Sequence, residues 1–162
     1  MQMIPLNRSQ KRQLEKIYSH MKSGSEQCDS NCHKCCIEDV KPSYIEFAFL
    51  VDGLSEKEIE SIFTKSRKLR EDGNYYLCPF LNDSGKCSRY EHRPWVCRAY
   101  RKEPELNACV QQPLREINQK AAQEIIKLNN TLDIPPIFKD YTDLTEEMTI
   151  RDIFEILFKK EI

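Results

Sequence analysis

The chain has 162 residues, of which 31% are charged and 40% hydrophobic, and its formal net charge is −1. This length and composition fit one soluble domain spanning residues 1–162, and a charge near zero gives no field that would draw the whole molecule to nucleic acid or to an anionic membrane. No stretch approaches the roughly 20 apolar residues of a membrane span. The first residues also lack the apolar core of a signal peptide, so we expect a cytoplasmic protein with reduced thiols.

Helices are predicted for most of the chain. The first spans 9–23, where apolar residues recur at helical spacing. The capping box Ser43-x-x-Glu46 begins a short apolar helix, and the box Ser55-x-x-Glu58 begins a longer helix over 56–72. Gly73 is the expected C-cap of that longer helix.

Residues 74–91 have a different pattern from the helices around them. Two short extended pieces flank the turn Asn82-Asp83-Ser84-Gly85. This pattern predicts a small β-hairpin. Such a hairpin would bring Cys78 and Cys87 near each other.

Three further helices are predicted over 94–101, 111–130 and 150–160. The expected fold is therefore mostly α with a small β-hairpin, in which helices pack around an irregular cysteine-rich metal-binding centre. Within the single domain we expect three parts: an N-terminal helix in 1–27, a cysteine-cluster core in 28–110, and C-terminal helices in 111–162.

Eight cysteines are the strongest chemical signal in the sequence. Four of them fall within nine residues and form the first cluster: Cys28, Cys32, Cys35 and Cys36. The other four are spread along the chain: Cys78, Cys87, Cys97 and Cys109. An even count also fits a disulfide framework, but reduced thiols are expected in the cytoplasm and a disulfide between adjacent Cys35 and Cys36 would be strained. Clustered thiolates select zinc, copper(I) or iron–sulfur clusters.

Spacing alone leaves the metal open. Zinc ribbons usually show two Cys-x2-Cys pairs, whereas this chain has only Cys32/Cys35. Iron–sulfur proteins accept more irregular spacings. The run Cys28-x3-Cys32-x2-Cys35 also has the spacing of the radical-SAM motif, but the chain is short and shows no repeated strand–helix pattern for the barrel of those enzymes.

Residues 86–102 are locally basic, with six cations against one anion, a local charge of +5. We expect Arg93, Arg98 and Tyr90 to lie around the metal or to bind an anion, because cations offset thiolate charge. A solvated basic face is the alternative, and RNA binding by the same arginines is disfavoured by the overall charge. His33 and His92 could replace a cysteine ligand, but with eight thiols present we expect them beside the site.

Four separated elements occur in an order that resembles the YkgJ-type cysteine-cluster family, also known as the CxxCxxCC zinc- or iron-chelating domain. They are the first cluster, Cys78-Pro79-Phe80-Leu81, Gly85-Lys86-Cys87-Ser88-Arg89-Tyr90, and Arg93-Pro94-Trp95-Val96-Cys97-Arg98. The first gap in this chain is three residues instead of the family's two. The resemblance implies a metal-chelating domain whose candidate ligands are the seven cysteines in these elements. Cys109 lies just outside them and is an eighth candidate.

Two functions follow as expectations. The favoured one is an iron–sulfur protein with redox or protein- or RNA-modifying work, since seven motif cysteines do not divide into complete four-thiolate zinc sites. A related cluster occurs in the flagellin lysine N-methylase, which the resemblance links to an iron–sulfur centre. The alternative is a structural zinc module without catalytic activity, in which an apolar helical face such as 150–158 could meet a protein partner. Whether the chain is an enzyme stays open.

Overall fold

The fold is seen in a computed structural model, which describes residues 5–21, 40–74, 77–103, 108–111, 116–133, 152–153 and 157. The elements in these ranges are α1 Arg8–His20, α2 Tyr44–Leu50, α3 Glu56–Glu71, a 3-10 helix Tyr90–His92, α4 Trp95–Arg98, β1 Tyr100–Glu103, β2 Ala108–Gln111 and α5 Glu116–Asn129. The mostly helical prediction is confirmed. None of the helices in the described ranges is long and apolar enough to cross a bilayer.

Both predicted capping boxes form at helix N-termini. The Ser43 amide donates to Glu46 Oε2 at 3.0 Å at the start of α2, and the Ser55 amide donates to Glu58 Oε2 at 2.8 Å at the start of α3. Ser55 Oγ also accepts from the Glu58 amide. These local bonds satisfy backbone donors that the first helical turn leaves without partners.

Gly73 lies in the cap that follows α3, as predicted. Gly73 has a φ of +77°, which residues with a Cβ rarely adopt. Its amide donates to the Arg70 carbonyl at 3.1 Å, and the Asn74 amide donates to the Leu69 carbonyl at 2.8 Å. This pair of bonds is the Schellman motif, and the glycine makes it possible.

Helix α2 lies at the centre of the core, and all seven of its residues are buried. α1, α4 and α5 contribute further buried side chains to the same cluster: Leu14, Ile17, Tyr18, Cys97, Ala121, Ile125 and Leu128. Ile153 and Leu157 have helical backbone and are 0% and 3% exposed. At these two positions the predicted apolar face of 150–158 therefore packs inside the protein.

The predicted hairpin over 74–91 is wrong. One isolated antiparallel bridge forms there, between Leu81 and Cys87. The ladder cannot extend because the chain turns on one side of the bridge, where the Leu81 amide donates to the Cys78 carbonyl at 3.1 Å. On the other side it enters the 3-10 helix Tyr90–His92. The bridge nevertheless ties the Cys87 segment to the chain that follows Cys78.

Two of the predicted helices are too long, because residues 100 and 101 of one and residue 111 of the other lie in strands. α4 ends at Arg98, and Tyr100–Glu103 pairs antiparallel with Ala108–Gln111. Aromatic and β-branched residues such as Tyr100 and Val110 favour strands. The helix predicted over 111–130 is α5, which begins at Glu116.

Candidate metal centre

Cys78 and Cys87 lie on one folded segment that packs against the core. Each is half-buried and contacts the buried cluster, and Phe80 between them is only 1% exposed. The Ser88 amide and hydroxyl both donate to the Phe80 carbonyl, at 2.8 Å each. The buried Phe80 side chain and these bonds therefore fix the positions of Cys78 and Cys87 against the core.

A side chain orders the turn between the two cysteines. Asn82 Oδ1 accepts from the Ser84 amide at 3.1 Å, the Ser84 hydroxyl at 2.7 Å and the Lys86 amide at 2.9 Å. Gly85 completes the turn with a φ of +76°. Backbone bonds close the same turn, since the Asn82 amide donates to the Lys86 carbonyl at 2.8 Å and the Gly85 amide donates to the Asn82 carbonyl at 3.0 Å. An asparagine side chain that adds to such bonds makes a compact turn. The turn therefore determines the position of the segment that carries Cys87.

Cys97 lies on the short helix α4, one turn after Pro94. The Pro94 carbonyl accepts from the Cys97 amide at 3.0 Å and from the Arg98 amide at 3.2 Å. Proline suits this position, because it has no amide hydrogen that would need a partner. Cys97 is 8% exposed and belongs to the core cluster.

A buried carboxylate joins α1, α2 and α4. Glu46 is 5% exposed, and its Oε1 accepts from the Tyr18 hydroxyl at 2.9 Å and the Trp95 amide at 2.6 Å. Its Oε2 accepts from the Ser43 amide at 3.0 Å and hydroxyl at 2.9 Å. The sequence predicted only the local capping role. A charged residue inside the otherwise apolar run YIEFAFL is the signal that could have indicated a buried hub.

Tyr18 stays neutral next to this carboxylate. Burial raises the pKa of Tyr18 well above its ordinary value, and the Glu46 charge raises it further. The Arg98 guanidinium lies over the Tyr18 ring at 4.0 Å and acts in the opposite direction. The phenol can therefore donate to Glu46 at neutral pH while its ring makes a cation–π contact with the Arg98 guanidinium.

Arg89 connects the Cys87 segment to the end of α2. Its Nε donates to the Leu50 carbonyl at 2.7 Å, and its Nη2 donates to the Asp52 carbonyl at 2.5 Å. Burial lowers the pKa of Arg89, whereas nearby Asp52 and Cys87 raise it. A cation at this position compensates the C-terminal end of the helix dipole and lies within electrostatic range of the Cys87 thiol.

The three residues predicted to surround the metal or to bind an anion make contacts within the fold. Arg93 is buried, donates from Nε to the Tyr90 carbonyl at 2.8 Å, and lies 3.6 Å over the Tyr90 ring. Arg98 donates to the carbonyls of Arg93 and Glu91 at 2.6 Å each. These contacts order the backbone between Cys87 and Cys97. A role beside a metal stays a prediction for all three.

His92 stacks on Phe49 with ring centroids 4.8 Å apart. Burial lowers the pKa of His92, and the charge of Arg89 lowers it further. The imidazole is therefore neutral at physiological pH. His33, the other histidine considered as a ligand, lies outside the described residues.

The first cluster also lies outside the described residues. Cys109 is on β2, opposite Lys102. In the ranges that the structure describes, no three His, Cys, Asp or Glu side chains come together as a ligand set. Within these ranges, Cys78, Cys87 and Cys97 are the cysteines whose thiols the structure describes. The chemistry of the donors fits zinc or iron, because both metals accept thiolates.

A separate open groove of about 620 Å³ lies between α1 and α5. Its floor contains Ile17, Ala121 and Leu128, and three lysines border it. None of the described residues that line this groove is a cysteine. It is therefore distinct from the segments that carry the described thiols.

A family model described as "Putative zinc- or iron-chelating domain" (CxxCxxCC) matches residues 27–129. The match includes all eight cysteines and runs to the last residue of α5. It therefore extends well beyond the motifs visible in the sequence, which end at Arg98. No curated protein and no solved structure shows a significant match to the chain. The chain belongs to the CxxCxxCC family of zinc- or iron-chelating domains.

Proposed function

We propose that this protein holds an iron–sulfur cluster through cysteine thiolates. The ligands would come from the first cluster (Cys28, Cys32, Cys35 and Cys36) together with Cys78, Cys87 and Cys97. Cys109 is the remaining candidate. The observation that carries the proposal is the number and order of the motif cysteines, since seven do not fill complete four-thiolate zinc sites.

The described residues support a thiol site at this part of the fold. Cys78, Cys87 and Cys97 belong to two separate segments, yet all three pack against one hydrophobic cluster. Arg89 adds a positive charge near Cys87, which would offset the charge of a thiolate ligand there. Membership of a zinc- or iron-chelating family fits a site of this chemistry.

When bound, an iron–sulfur cluster supplies reversible one-electron transfer. The contribution of this chain would be to hold the thiolates and to set their surroundings. The arginines, which are held by backbone carbonyls, would add positive charge around the site, whereas a neutral His92 would add none. A redox role, or modification of a protein or RNA, is the activity class that we propose for such a centre.

The decisive experiment is purification without oxygen, followed by an absorption spectrum and measurement of iron, acid-labile sulfide and zinc. We expect a brown protein with broad visible absorption and with iron and sulfide in comparable amounts. A colourless protein with stoichiometric zinc and no iron would overturn the iron–sulfur proposal. That result would favour a structural zinc module instead.

The ligand assignment is tested by Cys32→Ser and Cys97→Ser. Each should lower both bound metal and stability, because metal binding is coupled to folding at such sites. Ser30→Ala is the matched control, since it changes a position inside the first cluster that has no thiol. Cys109→Ser distinguishes seven ligands from eight. Metal content that stays at the wild-type level in both Cys32→Ser and Cys97→Ser refutes the assignment.

A further inference from the structure

We propose that Glu46 is a positioning residue for Cys97: its buried carboxylate holds the helical turn that presents this thiol. The inference rests on the proposed function, in which Cys97 is a metal ligand. It assigns Glu46 a role beyond the local capping box that the sequence predicted.

The first step is the bond between Glu46 and α4. Trp95 is the first residue of α4 and lies two residues before Cys97. Its amide donates to Glu46 Oε1 at 2.6 Å. A short helix has few internal bonds of its own, so a charge-assisted bond to its first amide is a large part of what orders it.

The second step is the route through Tyr18. The Tyr18 hydroxyl donates to the same Glu46 oxygen at 2.9 Å, and the Arg98 guanidinium lies over the Tyr18 ring at 4.0 Å. Arg98 directly follows Cys97. Glu46 therefore restrains the chain on both sides of Cys97, directly at Trp95 and through Tyr18 at Arg98.

The third step is the anchoring of Glu46 itself. Its second oxygen accepts from the Ser43 amide and hydroxyl, at 3.0 and 2.9 Å. All four lone-pair directions of the carboxylate are thus used, and the group cannot turn without losing a bond. Residues that orient a ligand in this way commonly change metal affinity 10- to 100-fold when they are altered.

The chain offers a matched control in its second capping box. Glu58 makes the same bonds to Ser55 that Glu46 makes to Ser43, with distances of 2.8 and 2.6 Å. Glu58 is exposed and lies at the start of α3. Glu46→Gln and Glu58→Gln therefore make the same chemical change in the same motif, but only Glu46 reaches α4.

The first measurement uses the metal-free, reduced protein and follows alkylation by iodoacetamide at each cysteine with mass spectrometry. Glu46→Gln removes the carboxylate charge, and its amide nitrogen cannot accept a hydrogen bond. We therefore expect Cys97 to react about tenfold faster, the factor that corresponds to loss of one charge-assisted hydrogen bond. Cys78 should react at the wild-type rate, and Glu58→Gln should change neither thiol. Faster reaction at every cysteine, or no change at Cys97, overturns the inference.

Tyr18→Phe keeps the test usable if Glu46→Gln does not fold. It removes one bond to the carboxylate and leaves the Trp95 bond in place, so Cys97 alkylation should rise about threefold, as for one hydrogen bond of ordinary strength. An unchanged Cys97 rate in this variant contradicts the route through Tyr18.

The second measurement is zinc affinity, determined by competition with a chromophoric chelator. Glu46→Gln should bind zinc about tenfold more weakly than the wild type, as for other residues that orient ligands. Glu58→Gln should match the wild type. If the wild type binds no metal, the proposed function fails whatever the alkylation rates are. If it binds zinc and Glu46→Gln binds equally well, only the positioning role fails.

Discussion

Arg89 offers the sharpest test of how the Cys87 segment is attached to the core. Its guanidinium donates to the carbonyls of Leu50 and Asp52, at 2.7 and 2.5 Å. Leu50 is the last residue of α2, whose final carbonyls lack partners within the helix, and Asp52 lies in the turn that follows. Arg89→Met removes both donors while it keeps an apolar stem of similar length.

The expected cost follows from these two bonds. A hydrogen bond to a charged group contributes about 1.5–3 kcal/mol. Arg89 is half-buried, so water can reach the abandoned carbonyls and the lower value applies to each bond. We therefore expect Arg89→Met to lower the free energy of unfolding by about 3 kcal/mol.

Urea unfolding of the metal-free, reduced protein, followed by circular dichroism at 222 nm, measures this change. The slope of the transition should stay constant, because the substitution changes stability and not the surface exposed on unfolding. Lys86→Met is the control: Lys86 is exposed in the same segment, and we expect a change within about 0.5 kcal/mol. An Arg89→Met midpoint equal to that of the control would refute this account of the attachment.

Two further predictions test individual features of the fold. Burial raises the pKa of Tyr18 above its ordinary value of 10.0. The contribution of the neutral Tyr18 phenol to the free energy of unfolding is therefore fully present below about pH 10 and is lost as the pH rises further. Denaturant titrations between about pH 9 and 11 should thus show a smaller loss of stability in Tyr18→Phe than in the wild type, and parallel pH profiles would contradict this. Gly73→Ala should cost about 1–2 kcal/mol, because φ is +77° and an added Cβ would have no neighbour within 4 Å, which leaves backbone strain as the cause. The exposed control Ser61→Ala should be neutral or slightly stabilising, and a neutral Gly73→Ala would contradict the strain argument.

The sequence predicted the local features of the fold well. The Ser43 and Ser55 capping boxes and the turn at Gly73 depend on contacts within five residues, so their patterns are visible in the chain itself. The helical spacing of apolar residues in the chain also agrees with the buried faces of α1 and α5, on which Ile17 and Ile125 lie. The motif order also led to the correct family.

The features that were missed depend on distant partners or on turns that stop a strand. The hairpin over 74–91 was wrong because the chain turns at Cys78 and enters a 3-10 helix at Tyr90, so strand pairing stops at the single bridge between Leu81 and Cys87. Glu46 reaches Trp95, 49 residues away, and no periodic pattern encodes such a pair. The bond from Arg89 to the Leu50 carbonyl likewise spans 39 residues.

These distant contacts share one consequence: the segments that carry Cys87 and Cys97 are bound to α2 by hydrogen bonds that need no metal. Arg89 holds the Cys87 segment at one end of α2 and Glu46 holds the Cys97 turn at the other. The buried cluster beneath them is built from apolar side chains. We therefore expect the protein to stay folded after metal removal, unlike zinc fingers, which unfold without metal. Treatment with a chelator and reductant should lower the melting temperature but leave the helical circular dichroism signal and a cooperative transition. Collapse of the helical signal on metal removal would show that the metal, and not α2, holds these segments in place.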